Sequence, residues 1–193
     1  MSPVTHFLIS WTVAAPLPLT TRDKALICLA GVAPDLDGVG IVAEVLTRHA
    51  QHPLTWFSDY HHILGHNIVF ASVVTLLIFA LAKDRWMTAL MSCVTFHLHL
   101  FCDLIGARGP DGYQWPVPYL LPFSHSGGWV WHGQWPLNGW PNLVITLAAL
   151  LFVFVWAWHS GESPLEFLSA KANREFVAAL RARFPRQPQE SSV

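Results

Sequence analysis

The sequence predicts an all-α integral membrane bundle: about three full spans, a short N-terminal helical hairpin and an amphipathic C-terminal helix. Three observations lead there. Hydrophobic residues make up 53% of the 193 residues and charged residues only 12%, with a mean hydropathy of +0.39, too apolar a balance for an ordinary soluble domain. Apolar runs recur at lengths that match half or all of a bilayer's hydrocarbon core. Many of the histidines and aspartates gather at the ends of those runs. The net charge of −1 gives no general attraction to nucleic acid, and no such partner is expected.

The elements follow in order. Met1 to His6 lacks the basic start of a signal peptide, so the first apolar stretch is expected to be retained. Phe7 to Pro16 and Ala25 to Ala33 are too short to cross alone and read as a half-depth hairpin covered by protein. Leu64 to Ala82 and Trp86 to Gly106 read as spanning helices, and Leu143 to Trp158 spans with its flanks. Ala107 to Pro141, rich in Gly, Pro and Trp, reads as an irregular cap at the membrane interface. Ser163-Pro164-Leu165-Glu166 resembles a capping box with Pro at the first helical position. Leu165, Leu168, Ala172, Phe176 and Leu180 then recur at helical spacing, an amphipathic helix for the bilayer surface or the bundle. Residues beyond Pro185 are expected to be disordered. The division is a membrane-embedded domain over 1–160 and a cytoplasmic helix and tail over 161–193. Cys28, Cys93 and Cys102 lie in apolar segments, as small core residues do, and form no disulfide framework.

Charge bias sets an orientation. With alternating helices, Arg22, Lys24, Lys83, Arg85, Lys171, Arg174, Arg181, Arg183 and Arg186 share one side, and only Arg48 and Arg108 lie opposite. The positive-inside rule makes the first side cytoplasmic. His6, Asp35, Asp37, His66, His99 and Asp103 then converge at the outer end.

Ionisable groups beside apolar runs are costly and persist where they pair, bind an ion or do chemistry. His99 and Asp103, four apart, face the same way on a helix and can share one metal or act as ligand and orienter. His61, His62 and His66 crowd the start of a spanning helix. His62 and His66 have helical spacing, and a loop ending near Leu64 can bring either His61 or His62 round. Asp35 and Asp37, extended, would put both carboxylates on one side of the chain, although Pro, Asp and Gly also make ordinary turns. His6 taken alone is a helix-end histidine. His97 points elsewhere on its helix, His125 and His132 lie in the cap, His49 and His52 read as solvated, and His159 belongs to no site. Imidazole and carboxylate are the ligand mix of zinc and similar divalent ions. The pieces supply more ligands than one zinc needs, so one to three ions are expected. Such a cluster suits hydrolysis of a phosphoester or amide through an acidified water.

At these residues the chain resembles the YdjM-like family of inner-membrane metal-dependent hydrolases. That pattern has an early His, Pro-Asp-x-Asp, His-Arg-Gly-x-Thr-His-Ser, and His-x-x-x-Asp closing a helix before a Gly- and Pro-rich segment. Here these are His6, Pro34-Asp35-Leu36-Asp37, His61 through Asn67, His99 with Asp103, and Gly109 through Pro122. The resemblance runs from His6 to about Phe123. It implies that His61 and His66 are the paired histidines, with His62 where the family has arginine, and Gly65 and Asn67 where it has Thr and Ser. More distantly the pattern is similar to the zinc-dependent phospholipase C and P1 nuclease group, which implies phosphoester hydrolysis.

The expectation is therefore a multi-pass protein of a bacterial-type inner membrane, with its C-terminus cytoplasmic and a metal site on the outer side. The ligands are His6, Asp35, Asp37, His61, His66, His99 and Asp103, the ion a divalent metal such as zinc, and Asp35 or Asp37 the general base. Membrane lipids are the expected surroundings and an amphiphilic phosphoester the expected substrate. The alternative is a metal-binding, transport or scaffold protein without catalysis. Against transport, Ile68 to Ala82 and Leu143 to Trp158 carry no charged residue.

Overall fold

Hydroxyl, amide and carboxylate side chains start most of the helices. In the computed structural model, which describes residues 1–124 and 127–185, Ser2 accepts from the N–H of Thr5 and opens α1 (Pro3–Ala14). Thr20 opens α2 (Thr21–Ala30) through the N–H of Asp23. A 3-10 segment, η1 (Ala33–Val39), leads into α3 (Gly40–Thr47). Glu44 of α3 accepts from the N–H groups of Phe57 and Ser58 and so starts the short α4 (Trp56–Tyr60) from across the hairpin. Asn67 caps α5 (Ile68–Leu81) and Asp84 caps α6 (Arg85–Gly106). Pro141 sits in the first turn of α7 (Trp140–Ser160), which ends at Gly161 with φ +86°, a conformation glycine adopts without cost. A second 3-10 turn, η2 (Pro164–Phe167), precedes α8 (Ala170–Arg183). Among the described residues there is no strand; two isolated bridges, Arg108 with Pro136 and Val117 with Trp129, tie the cap together.

α1 packs on α7, α2 and α6, and α6 also receives α2 and α5. Leu8, Trp11 and Ala14 of α1 meet Ile27 and Cys28 of α2 and Ala149 and Val153 of α7 in one core. Ala71, Phe96 and Leu100 meet Val117 of the cap in another. At the end of the bundle remote from the cap, the buried Asp23 carboxylate accepts from the N–H groups of Lys83 and Asp84, at 2.9 and 3.0 Å. That contact holds the α5–α6 turn against α2. Lys24 bridges the carbonyl of Ala15 and the carboxylate of Glu162.

Two helices, α6 and α7, are long and apolar enough to cross a membrane, and α2 with Ala33–Thr47, bent by 56°, makes up to a third. The span expected over Leu64 to Ala82 is shortened, because its first residues form a turn and α5 begins at Ile68. Its 14 residues rise only about 21 Å, less than the ~30 Å hydrocarbon core. α1 and α2 pack as the expected hairpin. The exposed side chains of α7, Leu143, Val144, Leu147 and Leu151 among them, form the apolar surface that lipid requires.

The C-terminal helix departs from the expected capping box. Ser163 does accept from the N–H of Leu165, but Glu166 accepts from the Thr21 hydroxyl. The chain therefore makes one 3-10 turn and restarts at Ser169. The buried face of α8 is set by Asn173 and Val177, with Phe176 edge-on to Phe154 of α7. Leu168, expected on the apolar face, is 84% exposed. The tail beyond Pro185, expected to be disordered, and Arg186 of the charge count lie outside the described residues.

Candidate metal centre

Three local features bring the polar groups together. α6 places His99 and Asp103 on successive turns of its buried face, with His99 Nε2 3.1 Å from Asp103 Oδ2. α1 lays His6 across the same turn, its Nε2 3.1 Å from Asp103 Oδ1 and its ring stacked on that of His99. The Met1 amino group also contacts Asp103 Oδ1. The segment His61–Asn67 is wound into a tight turn. Asn67 Nδ2 donates to the carbonyls of Ile63 and Leu64, and His62 takes a left-handed backbone conformation with φ +66°. This turn can lie against η1 only because residue 65 is glycine: a Cβ there would sit 2.2 Å from the Pro34 carbonyl oxygen.

The result is two groups of donors that share one residue. His6, Asp35, His99 and Asp103 form the first, and His62, His66 and Asp103 the second, with the donor atoms of each within 4.8 Å of one another. His66 Nε2 and His62 Nε2 lie 3.4 and 3.8 Å from Asp103 Oδ2, and His99 Nε2 lies 3.7 Å from Asp35 Oδ1. His6, His66, His99 and Asp103 are all buried.

The remote ring nitrogens are held from behind. His99 Nδ1 donates to the Gly31 carbonyl at 2.8 Å, so its Nε2 carries the lone pair that faces Asp103. His66 Nδ1 lies 3.3 Å from Asp37 Oδ2, and His61 Nδ1 2.9 Å from Asp37 Oδ1, while the Gly65 N–H donates to Asp37 Oδ2. A carboxylate or carbonyl behind a ligating imidazole fixes its tautomer and raises its basicity. Of the residues expected from sequence, His6, Asp35, His66, His99 and Asp103 therefore meet in the two groups. Asp37 and His61 stand beside them in neither, and His62 enters in place of His61.

Burial and the neighbouring His66 push the His62 imidazole down to about 3. For His66 burial works in the same direction, but its contacts with Asp103 and Asp37 outweigh it and raise the ring to about 9.

The donor set fits a divalent ion. It mixes imidazole with carboxylate, and Asp35 Oδ2, Asp103 Oδ2 and His6 Nδ1 are buried without a hydrogen-bond partner. Unsatisfied carboxylate oxygens among imidazole nitrogens are costly unless a cation completes them.

The cap lies over the site. The side chain of Gln134, buried at 1% exposure, donates to the Asp103 carbonyl and accepts from the Trp115 N–H. Trp115 stands edge-on over His62, with ring centroids 4.8 Å apart. Asn142 donates to the carbonyls of Gly106 and Leu137 and accepts from Trp135 Nε1. Sequence reasoning passed over Gln134, and nothing in the pattern of a loop glutamine marks it. His97 bonds the Cys93 carbonyl and the Tyr119 hydroxyl, pinning the cap to α6. His132 pairs with Gln114 at the surface, and His125 lies outside the described residues.

Fold and site together define an all-helical membrane protein with a buried His/Asp cluster at one end of its bundle. A family model described as YdjM inner membrane protein matches residues 1–180. The chain belongs to that family. No curated protein and no solved structure matches it.

Proposed function

We propose that this chain is a membrane-bound hydrolase that depends on a divalent metal, zinc being the ion its donors suit best, and that acts on a phosphoester. The observation that carries the reading is the convergence of both donor groups on Asp103, with buried carboxylate oxygens left unpartnered. His6, Asp35, His99 and Asp103 would hold one ion, and His62, His66 and Asp103 a second beside it. A bound divalent ion supplies an acidified water and neutralises charge on phosphoryl oxygens.

The chain's own groups do the rest. Asp35 Oδ2, buried and free of partners, is the oxygen placed to accept a proton from water. Asp37, spent on His61, His66 and the Gly65 N–H, orients the histidine turn. Gln134 holds Asp103 from its backbone side, and Trp115 restricts water above His62. The same reading places the site at the outer face, with the basic ends of α2, α6 and α8 cytoplasmic and α5 completing the bundle as a shortened third crossing. The similarity of the His, Asp, His and His-x-x-x-Asp order to the phospholipase C and P1 nuclease group supports a phosphoester over an amide.

The test is elemental analysis of the detergent-purified protein beside a His99→Ala/Asp103→Ala variant. The expected result is stoichiometric or higher zinc or manganese, lost in the variant, with chelator-sensitive cleavage in a phosphoester screen. Metal without cleavage of any phosphoester would leave a binding or transport protein. No metal in either protein, even after reconstitution, would leave a structural polar cluster.

A further inference from the structure

A cleft of about 550 Å³ opens beside the site. Asp35 and His61 line it on the side of the site, Val39, Ile41, Val42, Phe57 and Leu137 supply its apolar wall, and the chain start from Met1 to Pro3 completes it. One wall is α3. That helix leaves Ile41, Val42, Val45 and Leu46 exposed, while its one acidic residue, Glu44, is turned away to bond the start of α4. Leu36 and Val39, ahead of it, are also exposed. A contiguous apolar strip of this kind on a water-facing surface would drive association. On a membrane protein it continues the lipid-facing surface up to the mouth of the site.

We infer that this cleft takes the acyl chain of a membrane phosphoester, admitted sideways from the leaflet past α3, with its head group at Asp35 and His61. The occupant is thus an amphiphile rather than a water-soluble phosphoester. Two features select it: the cleft is mainly apolar, its polar groups being Asp35 and His61 with Ser2 and the Met1 amino end, and from Val39 the exposed apolar side chains run on through Leu36 to the groove that Leu29, Val74 and Leu77 line between α2 and α5. The identity of the head-group site rests on the proposed metal-dependent reading; the apolar wall does not. Val42 is the residue that gates the chain, because it both lines the cleft and is 56% exposed at its rim. Leu46, on the same helix and 79% exposed, lines no part of the cleft.

The experiment is a binding titration of the metal-loaded protein in amphipol with butyl, hexyl and octyl phosphate. Affinity is expected to climb by up to roughly four-fold per methylene buried. Val42→Asp should flatten that climb, and Leu46→Asp should keep it. Both substituted side chains are exposed, so neither variant disturbs the core, and unchanged melting temperatures confirm this. Octyl phosphate binding no tighter than butyl, or a climb that survives Val42→Asp, would overturn the inference. Repeating the titration after chelation separates it from the hydrolase reading. A chain-length dependence that persists without metal, and is still lost in Val42→Asp, keeps the cleft; head-group affinity unmoved by metal removal brings down the metal reading alone.

Discussion

Asp103 bonds His6 through Oδ1, while its Oδ2 lies 3.1 Å from His99 Nε2 and 3.4 Å from His66 Nε2 without a hydrogen bond to either. Asp103→Asn keeps the shape and removes the charge. It is expected to abolish metal retention at both positions, read as metal per chain after gel filtration. Asp37 stands behind the histidine turn, bonded to His61, His66 and the Gly65 N–H. Asp37→Asn should weaken metal affinity by about 10–100-fold, measured by competition with a chromophoric chelator, while the protein still folds. His62→Ala should remove one ion and leave the other, since His62 belongs to one donor group only; unchanged stoichiometry would return His62 to a structural role. Gly65→Ala tests the contact that seats the histidine turn. The added methyl meets a backbone oxygen that cannot swing aside, so a loss of about 1–3 kcal/mol is expected from overpacking, seen as a lowered melting temperature.

Among the elements, the turns on either side of α5 are held by side-chain bonds to their backbone. Asn67 caps α5 and also donates to two carbonyls of the turn. Asn67→Ala should cost about 1–2 kcal/mol through the cap alone, and its effect on metal affinity should exceed its effect on helix content by circular dichroism. At the far end, Asp23 accepts from two backbone N–H groups of the α5–α6 turn. The cap is anchored by its own Gln134 and by Asn142 of α7, so the Trp-rich stretch is fixed over the site although its described residues ahead of α7 form no helix or strand.

For the whole molecule, an ion that binds only the folded bundle must stabilise it. At a free ion concentration about 100 times the dissociation constant the gain is roughly 2.7 kcal/mol. Chelation is therefore expected to lower the melting temperature of the wild type and to leave that of Asp103→Asn unmoved. Orientation is tested by a reporter at the C-terminus. Cytoplasmic activity is expected from the basic ends of α2, α6 and α8, and periplasmic activity would place the site on the inner face.

Helical class and membrane residence were determined by the sequence itself, because mean apolarity and run length are properties of a one-dimensional string. The His99–Asp103 pair was legible for the same reason: helical periodicity alone puts residues four apart on one face. The Gly65 approach to Pro34, the left-handed His62 and the orienting carbonyl of Gly31 were not, since each depends on where two distant segments meet. The same limit hid the role of Asp37. An Asp-x-Asp pair in an extended chain would point both carboxylates one way. In the 3-10 turn actually formed, Asp35 faces His99 and Asp37 faces the histidine turn. Only the tertiary structure could bring His62 rather than His61 within reach of His66 and Asp103, because irregular backbone has no period to read and the two side chains were parted by the packing of the turn against η1.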